Sequence, residues 1–252
     1  MIISFASIKG GVGKTTSCIN VAAALAQKKH HILIVDFDAQ GGSTHHLSSK
    51  FNGQFHACLT DVLLGTKSVK ETIHTYNETI DLIPVSYKFS KISNTDFSDK
   101  LVPFLCEIQD KYDFLFFDLS PAIFPGAIIP LSYSDYAVIP VYVQGGLSLL
   151  RLEAQGRIIA ELQEEHRKID VLGIVATFVD NTRMAKDVME FLTQQCKEEL
   201  FVSTIRKNTS LSQASSLGKT IFDYKPKSYG AKDYSNLANE FLKRIGKKKG
   251  KK

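Results

Sequence analysis

The sequence has few cysteines and no long apolar run. Its four thiols, Cys18, Cys58, Cys106 and Cys196, are scattered through 252 residues with no CxxC pair and no Cys/His ligand spacing. That excludes a disulfide framework and a zinc site, and the four read as buried thiols. Residues 2–6 are apolar but far too short for a signal-peptide core or a membrane span, and no other stretch reaches the length. The expectation is a cytoplasmic protein. A hydrophobic content of 44% can fill one large α/β core, and no linker interrupts the middle of the chain. One domain over residues 1–245 is therefore expected.

Negative charge is missing from one end only. The net charge is +5, yet the last ten residues carry seven lysines or arginines and no acid, so the remaining body is net negative. Residues 246–252 are expected to form a basic, disordered tail after a helix that ends near Ile245 and Gly246.

What is present is a glycine-rich stretch, Lys9-Gly10-Gly11-Val12-Gly13-Lys14-Thr15-Thr16, directly after the apolar run Ile2-Ile3-Ser4-Phe5-Ala6. Glycines between a strand and a helix let the backbone curl with its N–H groups turned inward, and the helix N-terminus adds a positive end. The pattern points to a nucleoside triphosphate, with Lys14 reaching the β/γ-phosphates and Thr15 on Mg²⁺. A helix follows, because Cys18, Val21, Ala22 and Leu25 form one stripe. The usual loop has glycine five residues before Gly13, where Ile8 stands here, and Lys9 is one cation more than phosphate binding needs.

Short β-rich runs recur between helical patterns: 2–6, 32–37, 80–85, 114–118, 136–143, 171–178 and 200–205. Such alternation predicts an α/β fold with a mostly parallel, twisted sheet and helices on both faces, and the glycine-rich loop between its first strand and helix makes it P-loop NTPase-like. Several runs are apolar throughout, as strands covered on both faces are. Ligands of such sheets bind at the strands' C-terminal ends. Asp36 and Asp38 close the second run and Asp118 closes the fourth, so three carboxylates converge on the loop's rim. They can hold Mg²⁺ through water and orient an attacking water.

The residues resemble the ParA/MinD group of ATPases with a deviant Walker A box, and within it the ParA (Soj-like) DNA-partition ATPases. KGGVGKTT carries the resemblance first, LIVDFDAQGGST is similar to the second family motif, and DFLFFDLSP is similar to its Walker B. AVIPVYV, GGLSLLRL, GIVATFVDNTR and the block IRKNTSLSQASSLGKTIFDYKPKSYGAKDYSNLANEFL follow the family's later order. The last block resembles partition ATPases more than their relatives.

The resemblance implies ATP/ADP and Mg²⁺ as ligands, with residues 9–16 around the nucleotide, Lys14 on the phosphates and Thr15 on the metal. It places Asp118 in the outer metal shell, and Asp38, the second acid of DxD, at the hydrolytic water and the metal. It implies that Lys9 crosses a dimer interface to the partner's nucleotide, making ATP the glue of a sandwich homodimer. Without such a cation, two triphosphates would oppose their own approach. It also implies nonspecific DNA and a ParB-like centromere-binding protein as partners, and a nucleoid-associated location. Ala39 stands where the family usually has proline, and Leu119-Ser120-Pro121 replaces a more proline-rich end. Neither change removes a reacting side chain, so the expected effect is on loop rigidity.

Two basic segments suit DNA phosphates: the tail, and the block holding Arg206, Lys207, Lys219, Lys225, Lys227 and Lys232 against Asp223 alone. Arg206, Lys219, Lys225, Lys227, Arg244 and Lys247 are the candidate DNA contacts. The first strand begins at Ile2, so a helix-turn-helix ahead of the loop is not expected. Nitrogenase iron proteins share the loop but need cluster cysteines after Walker B, and residues 119–126 contain none. The alternative is a MinD-like positioning ATPase acting on membrane or protein cargo. An amphipathic membrane helix needs an apolar face, and residues 243–252 offer only Ile245, so no stable membrane insertion is expected. The tail has no tyrosine either, unlike tyrosine-kinase relatives.

Overall fold

The computed structural model describes residues 1–92, 94–121, 125–144, 148–165 and 167–249. Residues 122–124 of the cysteine-free segment, residues 145–147 of the motif GGLSLLRL, and the last three tail residues lie outside them. Eight strands among the described residues form one sheet: β1 (Ile2–Phe5), β2 (Ile32–Phe37), β3 (His74–Thr75), β4 (Ile80–Ile83), β5 (Phe114–Leu119), β6 (Tyr136–Tyr142), β7 (Asp170–Val179) and β8 (Ile205–Arg206). Their order is β3-β4-β2-β5-β1-β6-β7-β8. All neighbours are parallel except β3 and β4.

The helices are α1 (Lys14–Ala26), α2 (Gly42–His46), α3 (Leu59–Leu63), α4 (Val69–Thr72), α5 (Asn94–Ile108) and α6 (Pro125–Ser132) in the first half. The second half adds α7 (Ser148–Glu164), α8 (Arg183–Gln195), α9 (Thr209–Ser216), α10 (Ile221–Tyr224) and α11 (Tyr229–Lys249). Side chains alternate across a strand, and here the alternation builds two cores. Ile3, Phe5, Ile32 and Ile34 face one side with Cys18, Ile19, Leu237 and Phe241 of α1 and α11. Leu33, Val35 and Phe37 face the other, with Leu101 and Phe104 of α5 and Ile159 of α7. Burial on both faces is the reason these strands read as continuous apolar runs.

Three expectations change. The run 200–205 is a strand only at its end, since Val202 and Ser203 donate their backbone N–H groups to the Glu240 carboxylate and not to β7. Leu200 keeps a single bridge to Ile174. β3, only two residues long, has no detectable sequence pattern. The last helix does not end near Gly246 but continues to Lys249. Glycine costs a helix only about 1 kcal/mol, Ile245 anchors the turn in the core, and lysines near a C-terminus favour the helix dipole. So residues 246–249 are helical, not a disordered tail, and Gly250–Lys252 fall outside the described residues.

Candidate nucleotide site

β1 lies between β5 and β6, and the loop 6–13 leaves its C-terminal end. Gly11 and Gly13 have φ of 73° and 84°, left-handed values that explain glycine at both. Gly13 caps α1, its carbonyl accepting from the Ser17 N–H at 2.8 Å. The first turn of α1 has no acid, which leaves its positive end to an anion. Thr177 of β7 clamps the loop: its buried hydroxyl lies 2.8 Å from the Val12 carbonyl and 3.0 Å from the Val141 carbonyl.

The register pairs Asp36 with Asp118 on adjacent strands, so both fully buried carboxylates reach one level. Asp36 is saturated: one oxygen accepts from the Thr44 N–H and hydroxyl, both 2.8 Å, and the other from the Asp38 N–H at 3.0 Å. Burial and then the charge of Asp118 push its pKa up to about 7. Asp118 accepts from the Ser43 hydroxyl at 2.8 Å, and its other oxygen lies 3.9 Å from the Lys14 ammonium. Burial raises its pKa also, opposed first by Lys14 and then by the Thr15 and Ser43 hydroxyls. Asp38 is half-buried beside this pair; its carboxylate accepts from the Gln40 N–H at 2.9 Å and its charge acts on Asp118.

These residues fit Mg²⁺. The Asp118 oxygen facing Lys14 is buried with no hydrogen-bond partner, and a Cβ at Gly42 would stand 2.7 Å from the Thr15 hydroxyl and 3.4 Å from Asp118 Oδ2. Hydroxyl and carboxylate oxygens are the hard donors the ion takes. Among the described residues no group of three or more His, Cys, Asp or Glu could hold a metal ion. Thr15 would hold it directly, with Asp118 and Asp38 behind, and it would neutralise charge across the phosphates.

The two lysines of the loop face opposite ways. Lys14 is buried toward Asp118 of β5, whereas the ammonium of Lys9 stands 4.7 Å from the ring centroid of Tyr142 at the end of β6. Beside Gly13 and Thr16 opens a cavity of about 310 Å³, lined also by Phe178, Ile205, Arg206 and Asn208. Phe178 and Ile205 place it at the C-terminal end of β7 and the start of β8. Phe178 has φ of 56°, unusual for a bulky residue, at the point where the pairing of β7 with β8 shifts.

Comparison with known proteins shows the family. Residues 1–171 match the family described as an AAA domain. The chain is 31% identical over 252 residues to the sporulation initiation inhibitor protein Soj of Bacillus subtilis, covering 95% of this chain and 97% of that one. The chromosome-partitioning ATPase Soj of Thermus thermophilus is 31% identical over 249 residues, covering 96% of each. The chain belongs to the ParA/Soj family of P-loop ATPases. This ParA-type chain is an ATP hydrolase. A putative plasmid partition protein from Borrelia burgdorferi, solved with AMPPNP, has the same fold: TM-score 0.82, 24% identity, 96% of this chain and 98% of that one.

Ser43, Thr44, Gly42, Thr177 and Tyr142 escaped assignment from the sequence. Gly41-Gly42-Ser43-Thr44 follows DxD after Ala39 and Gln40, so hydroxyls close to two acids were a usable signal; nothing marked Thr177. Among the candidate DNA contacts, Lys219, Lys225, Lys227 and Lys247 are exposed. Arg244 is a correction. Its guanidinium donates to the carbonyls of Leu172, Glu198, Glu199 and Leu200 and to Glu240, over the face of Phe201, so it ties α11 to β7 and is not presented to DNA. Arg206 is partly committed: Asp233, just past the counted block, pairs with it at 2.5 Å, while its side chain stays 43% exposed.

Proposed function

We propose that this ParA-type ATPase forms an ATP-sandwich homodimer that binds nonspecific DNA and lets go on hydrolysis stimulated by a ParB-like, centromere-bound partner. Its cargo is then plasmid or chromosomal DNA, and its location cytoplasmic, on the nucleoid. The observation that carries the reading is the division of labour between two lysines of one loop. Lys14 lies with the carboxylates of its own site, while Lys9 points to the other flank, where it can serve a second copy's phosphates. Asp38 would position the attacking water, as the half-buried acid with an oxygen not committed to Gln40. The 310 Å³ cavity next to Gly13 would take the base.

Exposed Lys207, Lys219, Lys225, Lys227 and Lys232 support DNA binding, since phosphate contacts by lysine are sequence-independent and add up when a dimer doubles them. Leu237, Phe241 and Ile245 of α11 are buried against the core and so are not offered to a membrane surface.

Size-exclusion chromatography tests the reading, with ADP and with a slowly hydrolysed ATP analogue, each with and without DNA. A dimer and DNA retention are expected only with the triphosphate. A dimer with ADP alone, or DNA binding by the monomer equal to that of the loaded form, refutes it.

A further inference from the structure

Tyr142 ends β6 within the stretch AVIPVYV, and no role has been given to its side chain above. Its ring carries the Lys9 ammonium on one side, 4.7 Å from the centroid, well inside cation–π range. It meets Phe178 edge-on at 5.1 Å. Its hydroxyl donates to Gln144, whose amide donates to Asp180. The ring is thus held by Phe178 near the end of β7 and by Gln144 just past β6, itself fixed by Asp180, so it cannot turn away from the lysine cheaply. Phe178, in its left-handed backbone conformation, also lines the cavity beside Gly13.

We propose that Tyr142 is a positioning residue that parks Lys9 in the unpaired subunit, so that each Lys9 must leave an aromatic face before it can reach a partner's phosphates. This rests on the cross-dimer role given to Lys9 above. Parking opposes dimerisation by the strength of one cation–π contact per subunit, and a dimer releases two. Each contact at a partly exposed site corresponds to about a 2.3- to 5.4-fold change in an equilibrium constant. Releasing both makes the dimer roughly 5- to 30-fold weaker than the phosphate contacts alone would give. The device keeps the loaded monomer from pairing too early.

The experiment compares wild type, Tyr142→Leu and Tyr142→Phe, each loaded with the slowly hydrolysed analogue, by sedimentation equilibrium. Tyr142→Leu should tighten the dimer by about 5- to 30-fold, and Tyr142→Phe, which keeps a ring, should stay within about 2-fold of wild type. A wild-type dimer whose dissociation constant is unchanged or weakened in Tyr142→Leu overturns this proposal alone. Failure of wild type and both variants to dimerise overturns the sandwich reading and the proposal with it. Should Tyr142→Leu not fold, NMR of the wild type decides: the Lys9 ε-methylene protons should be shifted upfield by the ring in the nucleotide-free protein and should move back on analogue-induced pairing. Resonances that sit at ordinary lysine positions, or that do not move, overturn it.

Discussion

Gly42→Ala should separate magnesium from nucleotide at this site. Gly42 begins α2 with no positive φ, so alanine takes its backbone without strain. The added Cβ would stand 2.7 Å from Thr15 Oγ1 and 3.3 Å from Thr15 Cγ2. The first contact is roughly 0.7 Å short of the 3.4 Å at which ordinary packing begins. Either Thr15 turns its hydroxyl away or α2 shifts, and α2 is tied down by Thr44 on Asp36. Thr15 is the softer element and should yield. Overpacking of this kind costs about 1–3 kcal/mol, partly offset by about 0.5–1 kcal/mol from replacing a helical glycine. The melting temperature should fall by only a few degrees. The larger effect is on the metal. Calorimetric titration with ADP should show affinity in chelator within about 2-fold of wild type, while the gain from adding Mg²⁺ drops by about 10-fold or more, as when a metal ligand loses its orientation. An undiminished Mg²⁺ gain in a folded variant would refute the placement of the ion between Thr15 and Asp118.

Thr177→Val keeps the shape but removes the donor held to two buried carbonyls, which should cost about 1–3 kcal/mol in chemical unfolding and weaken ADP binding through a loosened loop; unchanged affinity would show that the loop needs no clamp. Gly246→Ala adds a Cβ that meets nothing within 4 Å on α11, so the midpoint of thermal unfolding should rise by about 1–4 °C; a fall would contradict a helix continuing past that position. His46, buried with Nε2 donating to the Lys219 carbonyl, has its pKa lowered by burial below the 6.5 of the unfolded chain. The unfolded state then binds the proton first, so this group's stabilisation is present above pH 6.5 and is lost as pH falls toward the folded value, by at most about 1.4 kcal/mol per pH unit. Asp36, with a raised pKa, tilts stability the opposite way between pH 4 and 7, so the comparison must be wild type against His46→Gln in urea unfolding at pH 5.5 and 7.5. Equal slopes would refute the assignment to His46.

Residues close in sequence were legible without coordinates. The loop 9–16 showed itself because strand, glycines, lysine, threonine and helix must be contiguous to wrap a phosphate chain, and the acids at 36, 38 and 118 because strand ends follow from the apolar runs before them. Seven strands were read from composition, but the last shrank to Ile205–Arg206 once Glu240, far along the chain, took the N–H groups of Val202 and Ser203. Arg244 likewise looked like one more cation in a basic tail. Its neighbours on the chain said nothing of the carbonyls at Leu172 and Glu198–Leu200 that it binds.

The placement of the glycine-rich loop and of the acids at the strand ends was thus set by the chain alone, because each piece is a local pattern with a local geometric demand. Tertiary structure decided which charges are available to anything else. Arg244 is consumed by backbone carbonyls, Arg206 is shared with Asp233, and Lys9 rests on Tyr142, a residue 133 positions away in the chain and one ring's reach in space. A charge's partner is chosen by folding, and only residues that share a strand or a turn can announce the choice beforehand.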